Sequence, residues 1–442
     1  VSEEPGSASK RSFLQKVAVL SGATALGQLL SFAASPVTTR LFTPTDFGVS
    51  GTFAVIVGLF QVAASGRYEN AIPLPRVSRD GLQLVKLCLV ILFCWVILAF
   101  VVVLLWGHSM WLPRRLEALR SELIFLPLGF LGLGLFTIAE FWAIRQSYFG
   151  ELSKTKLWQG AASVSVQLLT GIRHWGGRGL IVAFVVGQSA GGLRLWRLLW
   201  RDLHNSSQED SSSIPEMARR YRNFPLVTIW AAAAKILGQY FPILFFSIHF
   251  GQEATGWLTL AQRILALPLI LVGESVSRAY LSAAARLRST ARTREHQQLF
   301  FRVVRAQIGL ALFILAPGLL LAPWGFEFFF GPAWKQAGVF ALCSGPGLAA
   351  QLIVTPVHCQ LDVAERQKLN LLGEMARWLC LGGAAGWTLR ADLDAAHCAF
   401  AFGLANGLAL SVIFALCCWS LKSDGARTAK ADEPQTARRL DA

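Results

Sequence analysis

Apolar runs of membrane-spanning length alternate with short basic intervals along almost the whole chain. The run from Leu87 to Leu105 reads LCLVILFCWVILAFVVVLL and holds no ionised side chain. As a helix, a run of that length crosses the roughly 30 Å hydrocarbon core of a bilayer. Comparable runs predict spanning helices at 17–38, 47–66, 87–107, 121–142, 157–172, 179–196, 224–249, 254–275, 303–322, 337–357, 371–389 and 396–419. The fifth, sixth and eleventh are short or broken by glycine. No interval between them is long enough for a separate soluble domain. The pattern predicts an all-α polytopic membrane protein of about twelve transmembrane helices.

Composition agrees: the 442 residues are 54% hydrophobic and only 15% charged, with a mean hydropathy of +0.49. The net charge of +15 would suggest nucleic acid in a soluble chain, but here the basic residues sit between apolar runs and report topology. With the N-terminus cytoplasmic, 30 of the 41 Lys and Arg fall on the cytoplasmic side and 8 on the other, while Lys235, Arg263 and Arg377 lie within helices. Cytoplasmic N- and C-termini follow from the positive-inside bias. Lys10, Arg11 and Lys16 resemble the basic start of a secretion signal. The apolar segment behind them carries Gly22, Gly27, Gln28, Ser31 and Ser35 and runs almost directly into a second one, which favours a retained helix.

The chain hints at two related halves. Leu26-Gly27-Gln28 is echoed by Leu237-Gly238-Gln239, and the turn Thr43-Pro44-Thr45-Asp46-Phe47-Gly48 by Gly251-Gln252-Glu253-Ala254-Thr255-Gly256. Six crossings in each half would put both repeats in one orientation. The expected organisation is a cytoplasmic N-tail at 1–16, an N-lobe of helices 1–6 at 17–200 and a cytoplasmic linker at 201–222. A C-lobe of helices 7–12 at 223–419 and a cytoplasmic C-tail at 420–442 complete it. The tail, which holds no apolar run, is expected to be disordered, and residues from Ile214 to Arg220 to begin an interfacial helix.

Several segments together resemble a known family. Thr39-Arg40-Leu41-Phe42-Thr43-Pro44-Thr45-Asp46-Phe47-Gly48 and Gly66-Arg67-Tyr68-Glu69-Asn70-Ala71-Ile72-Pro73-Leu74-Pro75 are two of them, with Tyr221-Arg222-Asn223-Phe224-Pro225 and Phe330-Gly331-Pro332-Ala333-Trp334-Lys335-Gln336-Ala337-Gly338 further on. They are similar to bacterial polysaccharide-biosynthesis flippases of the O-antigen type, within the superfamily of multidrug, oligosaccharidyl-lipid and polysaccharide exporters. The resemblance implies twelve helices in two pseudo-symmetric six-helix lobes that open alternately to either side of the bacterial inner membrane. It also implies a substrate made of a sugar chain on a polyprenyl diphosphate, and a polysaccharide polymerase and export machinery as downstream partners.

A diphosphate enters a bilayer only where cationic groups in a wet cavity replace part of its hydration. Candidate substrate-binding residues are therefore Lys235, Arg263, Arg67, Arg40 and Arg377. Each has a structural alternative: Arg67 can pair with Glu69, Arg40 can anchor a capped surface turn, Arg377 can pair with Glu374, and Lys235 and Arg263 can snorkel to an interface. Glu140 and Glu274 could serve a Na+ or H+ coupling site, but Arg145 and Arg278 stand close enough to pair with them. Asp46 reads as a turn cap. Trp106 and Trp111, and likewise Trp324 and Trp334, read as interfacial anchors. The eight cysteines and seven histidines form no metal or nucleophile pattern, and no GxxxxGK[ST] sequence occurs, so neither an enzyme nor an ATP-driven pump is expected. The expected function is transfer of a lipid-linked oligosaccharide across the membrane. The alternatives are small-molecule export by the same superfamily and a noncatalytic scaffold for glycan assembly.

Overall fold

The computed structural model describes residues 22–437 except 76, 107–116, 206–212, 291 and 365. The expected N-tail and the serine-rich centre of the expected linker lie outside the described residues. Every element among those described is helical. The chain forms two compact units, Val1–Thr259 and Leu260–Ala442.

Unit 1 begins with a helical stretch, 22–33, that continues into α1 (Ser35–Leu41). α2 (Pro44–Gln61) leaves α1 at an angle of 112°. The sequence sets that corner: Pro44 sits in the first turn of α2, and Thr43 and Asp46 form a capping box in which Asp46 Oδ2 accepts from the Thr43 amide at 2.8 Å. There follow α3 (Ser78–Trp106), α4 (Leu126–Arg145), α5 (Phe149–Ile172), α6 (Gly177–Ser189) and α7 (Gly192–Asn205). The short α8 (Ile214–Arg220) forms where an interfacial helix was expected, and α9 (Ile229–His249) and the start of α10 (Gln252–Pro268) close the unit.

Successive connections alternate between two ends of unit 1. Asp46, Glu122, Trp175 and Arg178 gather at one end. At the other, the Arg145 guanidinium donates to the carbonyls of Ile72, Pro75 and Val77 at 2.7–2.9 Å, and the Tyr68 hydroxyl donates to the Ala218 carbonyl. A chain that weaves back and forth through a bilayer requires this alternation.

Unit 2 contains α11 (Glu274–Ser289), α12 (Thr293–Leu310), α13 (Ala322–Phe330), α14 (Lys335–Cys343), α15 (Gly345–His358), α16 (Gln367–Ala391) and α17 (Ala395–Ala437). Its core packs Tyr280, Phe300, Val354 and Ile413 together. The Tyr280 hydroxyl donates to Gln360 Oε1 at 2.6 Å, and the same oxygen lies 2.9 Å from His296 Nε2. Burial holds the Tyr280 phenol protonated well past its ordinary range.

Five described helices are long and apolar enough to span a membrane, and two bent pairs, α1 with α2 and residues 332–343 with α15, bring the number to seven. Several other expected spans form as helices outside that set, among them α5, α9 and α16. α5 starts eight residues before the expected span because hydropathy marks apolarity and not helicity. Its early Glu151 and Lys156 are ion-paired to Arg194 and Glu140. The expected sixth span is one of the five, running from Gly177 to His204, with a short break between α6 and α7 where Gly191 takes φ +75°. The tail expected to be disordered continues α17 to Ala437, since alanine, lysine, arginine and glutamate sustain a helix without apolar periodicity. Trp334, expected as an interfacial anchor, is only 1% exposed and packs inside unit 2, whereas Trp324 is 66% exposed.

The two echoed turns meet. A Cβ on Gly48 would overlap the carbonyl oxygen of Gln252, and one on Gly256 would overlap the carbonyl of Pro44. Beside this reciprocal contact, Thr52 Oγ1 lies within hydrogen-bond distance of Ser247 Oγ and Gln252 Oε1, at 3.0 and 3.2 Å. Gly48→Ala and Gly256→Ala are each expected to destabilise the protein by about 1–3 kcal/mol, because backbone and not a flexible side chain must yield. Thermal unfolding in detergent checks this against Gly150→Ala, where a Cβ meets nothing within 4 Å. Equal melting temperatures for all three variants would refute it.

Candidate functional site

Two polar stripes face each other inside unit 1. On the first helical stretch Thr24, Gln28 and Ser31 recur at helical spacing, and on α5 Lys156, Gln159 and Ser163 do the same. With Gln188 of α6 they line a cavity of about 250 Å³. Glycines bring the helices together around it. A Cβ on Gly160 would come within 3.0 Å of Gly27 Cα, and one on Gly187 within 2.8 Å of Ser163 Cβ.

Lys156 is the cation of this cavity. Its Nζ lies 3.0 Å from Glu140 Oε1 of α4 and 4.4 Å from the centroid of the Phe136 ring. Both charged side chains are about a quarter exposed. Removing one partner would leave its neighbour's charge largely desolvated. Gln159 Nε2 donates to the Gln188 carbonyl at 3.0 Å, which holds one amide and leaves its oxygen for other use. The cavity therefore offers hydroxyls, amides and a neutralised ion pair to a polar guest.

The pairing of Glu140 with Arg145 expected from their spacing does not form. Arg145 is committed to the three carbonyls of the 72–77 segment, and Glu140 turns to Lys156. Arg145 lies five positions on, across the helix from Glu140, so it cannot reach over. The expected span at 157–172 leaves Lys156 just outside it. The spacing of residues 156, 159, 163, 167 and 170 carried the signal that it belongs to a polar helix face.

The expected binding residues fall into separate environments. Lys235 is exposed on α9, seven residues past a widened helical turn at Phe224–Thr228, and exposed Gln239 shares its face one turn on. Among the described residues no acidic group pairs with it. Arg67 takes a left-handed backbone at φ 60°, and its Nη1 lies 3.6 Å from Glu69 Oε1. Arg40 is exposed in the last turn of α1, at the opposite end of unit 1 from Arg67. Arg263 is half-buried on α10 before a second widened turn at Leu269–Gly273. Arg377, on α16, does not form an ion pair with Glu374: Arg377 Nε and Glu374 Oε2 are buried without hydrogen-bond partners among the described residues. The side chain of Glu274 lies outside the described residues.

Known proteins share this architecture. The family model described as polysaccharide biosynthesis protein matches residues 13–281. No curated protein matches the sequence. Among solved structures, the chain is similar to the lipid II flippase MurJ in an inward closed conformation. That match has a TM-score of 0.67 at 13% identity and covers 92% of this chain and 89% of the other. It is similar also to an inward-facing MATE-family multidrug transporter, at TM-score 0.67, 13% identity and coverage of 90% and 96%. A variant of the Vibrio cholerae MATE transporter VcmN matches at TM-score 0.58 and 14% identity, covering 94% and 98%. At these identities the likeness is one of fold.

Two outcomes test the local electrostatics. Glu140→Gln is expected to lower stability by about 1–3 kcal/mol, below the usual cost for a fully buried pair because this one is partly wet, while the double change Glu140→Leu with Lys156→Met restores most of it. Equal melting temperatures for the single and double variants would contradict the pairing. Burial raises the Glu69 carboxyl above its ordinary 4.5, against the lowering effect of hydrogen bonding from Ser65 and of Arg67. The folded state thus holds this proton more tightly than the unfolded state. Its contribution to stability is full below about pH 4.5 and is lost as pH rises through the folded value. Relative to Glu69→Gln, the parent protein should be more stable in acid than at neutral pH, which melting curves across that window will report.

Proposed function

This chain belongs to the polysaccharide biosynthesis protein family, and on that premise we propose that it is a flippase for a polyprenyl-diphosphate-linked oligosaccharide. It carries this substrate from the cytoplasmic to the outer leaflet of a bacterial inner membrane. The proposed frame is twelve spans in two six-helix lobes with both termini cytoplasmic. The fold likeness to the lipid II flippase MurJ supports the reading.

One observation carries it. Lys235 is an exposed ammonium on α9, inside the expected seventh span, with no acidic partner among the described residues. Such a group is costly against acyl chains, so it belongs to a wet surface. There it can exchange water for phosphate oxygens. Arg263, on α10, is a further candidate for phosphate contact. Arg67, paired with Glu69, acts as a weaker contact that exchanges partners as the substrate passes, Arg377 is a further contact, and Arg40 meets the substrate at the outer end. The isoprenoid tail stays in lipid throughout. Flux follows a Na+ or H+ gradient, or the removal of product by a polymerase and export machinery.

The test is transfer of labelled lipid-linked oligosaccharide in vesicles that contain only this protein. Lys235→Gln and Arg263→Gln are each expected to slow initial transfer about tenfold, the loss of one charge-assisted phosphate contact. Unchanged rates in both variants would remove these residues from the path, and absence of transfer by the parent protein would overturn the function.

A further inference from the structure

At the end of unit 1 that gathers the first, third and fifth connections lies a second cavity, of about 480 Å³. It is built from chemistry that the diphosphate path does not use. Trp175 presents its indole there, 47% exposed. Arg178 Nε donates to both oxygens of Glu122 at 3.3 and 3.2 Å, and its side chain remains half exposed, which leaves both terminal amino groups without a partner among the described residues. Asp46 uses Oδ2 to cap α2, accepting from Thr43 N and Thr43 Oγ1 at 2.8 Å each, and Oδ1 has no hydrogen-bond partner among the described residues.

The backbone holds this arrangement. Gly176 takes φ +58° and ψ −146°, and a Cβ there would stand 3.0 Å from Asp46 Oδ1. Only glycine lets the Trp175 loop close so near to that carboxylate. The volume lies within the range of small-ligand sites, about 300–1,000 Å³.

We propose that this cavity is a saccharide subsite that receives the glycan head of the substrate at the outer face. The assignment of glycan and of outer face rests on the flippase reading above. The carbon face of a pyranose ring stacks on the Trp175 indole, its hydroxyls donate to Asp46 Oδ1, and the free amino groups of Arg178 donate to ring or hydroxyl oxygens. Two carboxylates against one guanidinium repel a diphosphate, so the site selects the sugar end over the phosphate end. The net charge of −1 on Asp46, Glu122 and Arg178 would also favour a small organic cation, but the terminal amino groups of Arg178 are donors that fit ring and hydroxyl oxygens and offer nothing to a cation.

Saturation-transfer NMR on the full chain in nanodiscs tests the subsite. The probes are the soluble glycans released by mild acid from the lipid-linked pool of the native host, with tetraethylammonium as the competing cation. Glycan ring protons are expected to receive saturation, and Trp175→Ala and Arg178→Gln to weaken binding about tenfold each. Trp175→Phe retains most of it, and unaltered melting temperatures show that the variants are folded. Absence of glycan saturation, glycan binding unchanged in both variants, or displacement of glycan by millimolar tetraethylammonium would each overturn the proposal. Vesicle transfer separates the two readings. Transfer without glycan binding sinks the subsite and leaves the flippase, whereas glycan binding without transfer sinks the flippase and leaves the subsite.

Discussion

Unit 1 depends on a contact between two backbones. Gly48 and Gly256 bring α2 and the start of α10 so close that each lies against the other's preceding carbonyl. In lipid the hydrophobic effect does little to join helices, and close van der Waals approach with interhelical hydrogen bonds must do it instead. The reciprocal glycines supply the approach, and Thr52, Ser247 and Gln252 supply the bonds. The same contact draws α9, and Lys235 with it, into unit 1. The placement of the principal candidate cation therefore follows from a pair of missing side chains.

The rest of unit 1 shows how a bundle this basic stays stable. Its embedded charges are settled in three different ways. Lys156 is neutralised by Glu140, Arg145 spends its donors on three carbonyls of an irregular segment, and Arg67 is held by Glu69 over a strained turn. Irregular backbone at the ends of membrane helices needs donors of this kind. Lys235 stands apart because no such settlement is made for it among the described residues.

Much of this was legible in the sequence. The apolar runs announced a helical membrane protein, Thr43 to Asp46 announced a capped corner, and the two echoed turns pointed at segments that prove to touch. The echo was read as a sign of repetition and not of contact, since a repeat does not say where its copies meet. Helix limits were harder. Hydropathy could not find the polar first turns of α5, or the break at Gly191, which depends on a positive φ. Side-chain partners were harder still. Glu140 had Arg145 nearby in sequence and Lys156 nearby in space, and only the packing of α4 on α5 decides between them. The Trp175 cavity draws on three connections that lie far apart in the chain, so no local window could have shown it.

The bond between Lys156 and Glu140 has an electrical consequence. A single charge carried through a membrane potential of 100 mV exchanges about 2.3 kcal/mol with the field. While these two side chains remain joined they travel as a dipole of no net valence, and the voltage across the bilayer does almost no work on the helices that bear them. Any rocking of this part of the protein is then indifferent to whether the cell is energised, and sensitivity to voltage falls to the cations that stay unmatched.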